Sequence, residues 1–436
     1  MMEKRIFRPP ARSAIRSISL SPVPWETIQT TGLFLLCIAL PGMRAVKHAG
    51  LILVLIGSLG RITTKRRLIG MPDTFEWFLV AGVSVSLMSG LLNLHSTEGL
   101  HGAKDIFRYA FLAWVMYRYP LSCRKGRILA YCLACGTFTA LLWGGYDYAA
   151  GLTPAIQLHG TDAVTQSSIY LAIMAMLFLG KVTDTSSSFS KTDRFFFSAC
   201  FLVAVGFLWV MGSRGGLLGM VVALTVLAPL FFRRRKDVVL LSGGMMIGAA
   251  CFTLCLAACF PETVLSRRIS HIAATTIDFK TFSVDLDFSD ELRRECWKIA
   301  FIEATEGDNK WFGIGPGNFR TIDIDTPGYK KRLSYVYTYG FTPHHAHNIY
   351  LNTWVEQGRV GLIVMVMFHL FLVRCLYIVR PGRDGVRWEW VAAVGALVIS
   401  VVAGQFHKGW AAEVAWLSMM LIGLGLSPFQ QTQSSR

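Results

Sequence analysis

Hydrophobic positions along this chain gather into long uncharged runs, each approaching the roughly 20 residues a helix needs to cross a bilayer. About twelve spans are expected: 27–43, 46–60, 75–94, 105–119, 127–147, 165–182, 194–212, 215–232, 238–260, 347–373, 388–405 and 411–427. Residues 261–346 interrupt the series with twelve Asp or Glu and eleven Lys or Arg, too much charge for lipid. The pattern predicts an all-α polytopic membrane protein of about 12 transmembrane helices with one long, partly helical loop. Its expected divisions are a basic tail 1–26, spans one to nine over 27–260, the loop 261–346, spans ten to twelve over 347–427, and a tail 428–436.

Composition agrees with the pattern. Apolar residues make up 53% of the 436 and charged residues 16%, and the mean hydropathy is +0.46. The formal charge of +16 would suit nucleic acid, but its distribution argues against that partner. With the N-terminus inside, one set of loops collects Arg61 and Lys65 to Arg67, then Arg118, Arg124, Lys125 and Arg127. Lys181, Lys191, Arg194, Arg233 to Lys236, Arg374, Arg380, Arg383 and Arg387 join them, while the opposite loops hold little beyond Arg44, Lys47, Lys104, Arg214 and Lys408. This asymmetry follows the positive-inside rule and puts both termini in the cytoplasm. The first 26 residues are basic without an apolar core, so they read as a cytoplasmic tail rather than a cleavable signal. Cys132 and Cys135, like Cys251, Cys255 and Cys259, lie within spans and read as small packing residues.

Inside the long loop, Ser289/Asp290 can cap a helix whose Leu292, Cys296, Ile299 and Ala300 share a face, ending near Gly307. Trp311 to Phe319 follows as a glycine-rich tight turn expected to pack the loop against the membrane surface. No strand–turn–helix pattern surrounds its glycines and Pro316 interrupts them, which excludes a nucleotide-phosphate loop.

The outer face gathers the groups able to do chemistry: Arg214 between two spans, Arg267 and Arg268 after the ninth, Arg293 and Arg294 on the loop helix, and His344, His345 and His347 where the chain re-enters the bilayer. Guanidinium groups bind phosphate oxygens bidentately and stay charged, and an imidazole exchanges protons near neutral pH. Together they suit a phosphoryl-bearing donor whose leaving group the arginines hold while a histidine takes a proton from an incoming hydroxyl. Snorkelling anchors are the competing reading for the arginines. His345 and His347 could instead ligate a metal with Asp285, Asp287, Asp323 or Asp325. Glu356 and Arg359, three apart, are expected to neutralise each other within the tenth span.

These residues resemble the bacterial O-antigen ligase and polymerase superfamily. The resemblance lies in Ser213-Arg214-Gly215-Gly216, in Arg293 four residues before Trp297, in Gly313-Ile314-Gly315-Pro316-Gly317-Asn318-Phe319, and in His345-Ala346-His347-Asn348-Ile349-Tyr350-Leu351 with Glu356, Gly358 and Gly361. It covers mainly 205–365. It implies a metal-independent glycosyltransferase of the Gram-negative inner membrane, without cofactor and without nucleic acid. The enzyme would move a glycan from undecaprenyl diphosphate to an acceptor on the periplasmic side, with inversion if transfer occurs in one step. His347 becomes the base candidate and His345 a secondary site candidate, and Arg214 and Arg293, with Arg268 or Arg267, would grip the diphosphate. The single dominant outer loop looks more like the ligase, which uses a lipid A–core oligosaccharide acceptor, than the polymerase, which extends lipid-linked repeats. A transporter of about twelve spans would instead show duplicated halves, which this chain lacks.

Overall fold

Thirteen α-helices and one 3-10 turn make up the regular structure of the described residues, and each expected span within them falls on a helix. In the computed structural model these residues are 24–64, 72–94, 97–153, 155–161, 163–185, 190–211, 213–232, 284–333, 343–382, 385–407 and 412–434. The expected ninth span, Arg267 and Arg268, and most of the N-terminal tail lie outside them. The first eight helices are α1 (Trp25–Ala39), α2 (Arg44–Thr64), α3 (Thr74–Leu92), α4 (Glu98–Arg118), α5 (Cys123–Ala149), α6 (Val164–Thr183), α7 (Lys191–Met211) and α8 (Arg214–Phe232). The loop contributes α9 (Val284–Glu306), the 3-10 turn Asn318–Thr321 and the short α10 (Pro327–Lys330). Then follow α11 (Ile349–Ile378), α12 (Trp388–Ala403) and α13 (Ala412–Ser434). Six of them, α2, α3, α5, α6, α7 and α11, are long and apolar enough to cross a membrane. Shorter apolar stretches run over Gly215–Pro229, Trp388–Ala403 and Glu413–Ser427.

Burial sorts these helices into a post and a perimeter. α6 is buried all round from Ser167 to Thr183 and packs on α7, α8, α12 and α13. A helix apolar on every side needs such an enclosed position. On the perimeter, Ile52, Leu59, Trp77, Leu142, Phe195, Ile363 and Leu370 are each more than half exposed, an apolar belt that water would not tolerate and lipid would. The basic helix ends meet at one end of the bundle: Arg118 pairs with the buried Glu76, Lys125 with Glu26, and Arg127 with Asp193. The opposite end carries the long loop.

That loop is held by a break in α11. Gly358 takes φ 68 and ψ −168 inside the helix, a conformation open essentially only to glycine. The break frees carbonyls before it and N–H groups after it, which lipid cannot satisfy. The Trp311–Gly315 strip supplies the missing partners. Ile314 N–H donates to the Val355 carbonyl at 3.0 Å and Gly315 N–H to that of Glu356 at 2.9 Å, while Arg359 and Val360 donate to the carbonyls of Lys310 and Trp311. The approach is so close that a Cβ at Gly358 would stand 2.2 Å from the Trp311 carbonyl oxygen, and one at Gly313 2.4 Å from that of Val355. Ser89 and Asn93 at the end of α3 add hydrogen bonds to Glu356 O and Gly313 O.

Two local expectations change, and the glycine turn gains a definite partner. The glycine turn, expected to pack the loop against the membrane surface, splices into α11, one of the helices long and apolar enough to cross a membrane. The Glu356–Arg359 pair does not form, because the break at Gly358 cancels the helical i, i+3 geometry; Arg359 lies over the Trp311 ring at 5.5 Å. The loop helix begins at Val284, ahead of the Ser289/Asp290 cap, and ends beside Gly307 as expected.

Candidate functional site

Asn348 starts α11, and its Oδ1 accepts from the N–H groups of Tyr350 at 2.9 Å and Leu351 at 3.1 Å. A cap of this kind satisfies N–H groups that have no partner within the helix. Immediately before it, His347 takes φ 50, the one positive φ at a non-glycine residue among the described residues. The conformation costs free energy, so something around it must hold it. Three contacts do: Ile349 N–H donates to the Gly404 carbonyl at 2.7 Å, Asn348 Nδ2 to Gln405 Oε1 at 3.2 Å, and Ala346 N–H to Asn352 Oδ1 at 3.2 Å. The kink lays the His347 ring against His345, with centroids 4.1 Å apart and planes 42° to one another. His344 is exposed and stands apart from the pair.

α9 brings the positive charge. Its Cys296, Ile299, Ala300 and Ala304 are buried, and the last three pack with Ala346, Val355, Phe319 and Tyr329 in a core separate from that of the bundle. This packing holds α9 where the Arg293 charge acts on His347. Burial, reinforced by the Arg293 guanidinium, pushes the His347 pKa down to about 4. Arg294 points away, exposed, and pairs with Glu291 at 3.1 Å.

Arg214 is the first residue of α8. The next residue, Gly215, lies against Ala403 and Phe406, and Gly216 packs directly on Ser168 near the start of α6. The N-termini of α6, α8 and α11 therefore gather around the turn 404–407 that also holds Asn348 and Ile349. Aligned helix N-termini carry partial positive charge and offer N–H groups to an anion.

Of the residues the sequence singles out, His345, His347 and Arg293 come together, and the Arg214 backbone sits beside the same turn. Two more residues of this cluster escaped sequence reasoning. Gln405 bonds Asn348, and the buried His407 packs against His345 with centroids 5.4 Å apart. The available signal was a polar pair just past an apolar run, before Lys408. Among the described residues no three His, Cys, Asp or Glu side chains converge as metal ligands do.

The fold and this cluster define a multi-pass membrane protein with a histidine pair under the influence of a guanidinium at the loop-bearing end of the bundle. Residues 199–366 match the family model described as O-antigen ligase, which supports the O-antigen ligase and polymerase superfamily. The matched segment takes in Arg214, Arg293, the glycine splice and both site histidines. Among the curated proteins compared, none matches the chain.

Proposed function

We propose that this protein is an O-antigen ligase, transferring a glycan from undecaprenyl diphosphate to a hydroxyl of lipid A–core oligosaccharide at the periplasmic face of the inner membrane. The observation that carries the reading is the His345–His347 ring pair at the mouth of α11, within electrostatic reach of Arg293 and next to the start of α8. A neutral imidazole and a fixed cation stand together where a membrane-anchored diphosphate would present its sugar.

In the proposed reaction the acceptor hydroxyl oxygen attacks the anomeric carbon as the bond from that carbon to the diphosphate oxygen breaks. The electron pair leaves with undecaprenyl diphosphate, and the hydroxyl proton passes to the free ring nitrogen of His347. Attack opposite the leaving group inverts the anomeric centre. Arg293, Arg214 and one of Arg267 or Arg268 hold the diphosphate and stabilise its growing charge. Diphosphate already leaves readily, so neither a metal nor a general acid is needed in this scheme. His345 supports His347.

The depressed pKa keeps His347 unprotonated at neutral pH but makes it a weak base in the empty site. Arrival of the donor changes that. A diphosphate against Arg293 offsets the guanidinium's field and itself favours imidazolium, so binding strengthens the base.

The test is transfer in proteoliposomes containing purified protein, lipid-linked glycan and lipid A–core, with EDTA and without nucleotide. Glycan attached to lipid A–core is the expected result. Growth of the glycan on its own carrier would make the protein a polymerase, and no product from folded protein would refute transfer altogether.

A further inference from the structure

The turn that closes α12 does more than join two helices. Gly404 lends its carbonyl to Ile349, Gln405 accepts from Asn348, and His407 inserts its ring beside His345. His407 is only 6% exposed, far from His345 in sequence yet edge-on to it, with planes at 60°. His345 in turn lies against His347 at 4.1 Å. The three rings form a chain of contacts from the turn after α12 to the strained residue just before α11.

We propose that His407 is a positioning residue for the transfer reaction: its ring backs His345, which backs His347 and sets the direction in which the base presents its nitrogen. The inference rests on the glycan-transfer reading for its chemistry, though the row of rings stands on geometry alone. The φ of 50 sets the direction in which the His347 side chain leaves the backbone, and the His345 ring lying against it limits the ring orientations open to it. Among the described residues, those that bear on it come from α9, its own segment and the turn. Arg293 acts on His347 from α9, His345 meets it from its own segment, and the turn contributes His407 through His345 and the neutral Gln405 through Asn348.

His407 would not touch the donor, so its loss should slow turnover while leaving donor affinity nearly intact. Misplacing a reacting group by about 1 Å costs up to roughly 100-fold. Accordingly, His407→Ala is expected to lower kcat by about 10- to 100-fold with KM for the lipid-linked glycan changed less than about threefold. His407→Phe, which keeps a flat ring, is expected to recover most of kcat. His407→Gln, polar but without a ring, is expected to stay slow.

A second readout needs no turnover. Diethyl pyrocarbonate modifies neutral imidazoles, and the rate at His347 itself, resolved from His344 and His345 by fragmentation mass spectrometry on detergent-purified protein carrying His344→Gln, reports how firmly that ring is held. It should rise in the Ala and Gln variants and stay at the parental value in the Phe variant. Size-exclusion profiles identify variants that do not fold, and if the Ala variant fails there, the Gln and Phe pair carries the same comparison.

Unchanged kcat and unchanged modification in folded His407→Ala or His407→Gln would overturn the proposal. So would a His407→Phe protein as slow as the Gln variant, because packing would then not be the cause. If the parent chain itself moves no glycan, the transfer reading fails, and the modification rates still decide whether His407 holds His347.

Discussion

At the scale of single residues, the proposed chemistry depends on His347 staying unprotonated near a cation. His347→Ala and Arg293→Ala are expected to cut transfer by at least about 100-fold at unchanged membrane abundance. Initial rates, with folded protein quantified by size exclusion, decide this; loss of the folded protein instead would point to structural roles. The low pKa sets the pH response. The free enzyme governs kcat/KM, so its acid limb should fall near pH 4, where His347 protonates. The donor complex governs kcat, and its acid limb should lie higher, because the diphosphate offsets Arg293 and favours imidazolium. Coincident limbs in the two profiles would exclude donor-induced strengthening of the base. For stability the sign is opposite to that of a salt-bridged histidine. Between pH 6.5 and about 4 the unfolded chain binds the extra proton, so stability contributed by the neutral ring is lost as pH falls through that window.

At the scale of elements, the decisive feature is the splice between the glycine strip and the broken α11. It joins the loop that carries Arg293 to the helix that follows His347 through backbone hydrogen bonds. Gly358→Ala forces a Cβ into the Trp311 carbonyl at 2.2 Å and a side chain into a glycine-only conformation. We expect a loss of about 2–4 kcal/mol, visible as a lowered unfolding temperature in detergent, together with lost transfer. Ser89→Ala removes a single 2.6 Å hydrogen bond to the Glu356 carbonyl and should cost only about 1 kcal/mol. Equal effects from the two changes would mean that the splice is not the point of strain.

At the scale of the whole molecule, buried polar links join helices remote in sequence. Lys47 on α2 pairs with Glu413 on α13, with both side chains less than a tenth exposed, and the ammonium lies 5.5 Å from the Trp416 ring. Removing one partner leaves a buried charge, so Lys47→Met should destabilise by about 3–5 kcal/mol, while Lys47→Met with Glu413→Leu should recover much of that loss. Thermal unfolding of the single and double variants tests it. Orientation is testable on the same scale. A cysteine placed at the exposed His344 should react with an impermeant thiol reagent from the periplasmic side, and one at Lys125 only after the inner membrane is opened. The reverse pattern would overturn the assigned topology.

The sequence alone was enough to read the helical membrane class, because each span is a local property of about 20 apolar residues. Loop charges likewise carry the expected orientation without any tertiary contact. The candidate residues His345, His347, Arg293 and Arg214 were legible too, since charged and imidazole groups beside a bilayer stand out against it. What the sequence could not supply was their arrangement. Local caps suggested the wrong start for α9, and i, i+3 spacing suggested an ion pair that the break at Gly358 removes. The burial of α6 on every side, the splice at Gly358, the left-handed turn at His347 and the approach of His407 all depend on segments far apart in the chain. Only tertiary packing could decide them, because each is stable only where a distant backbone or ring fills the place that water or lipid would otherwise take.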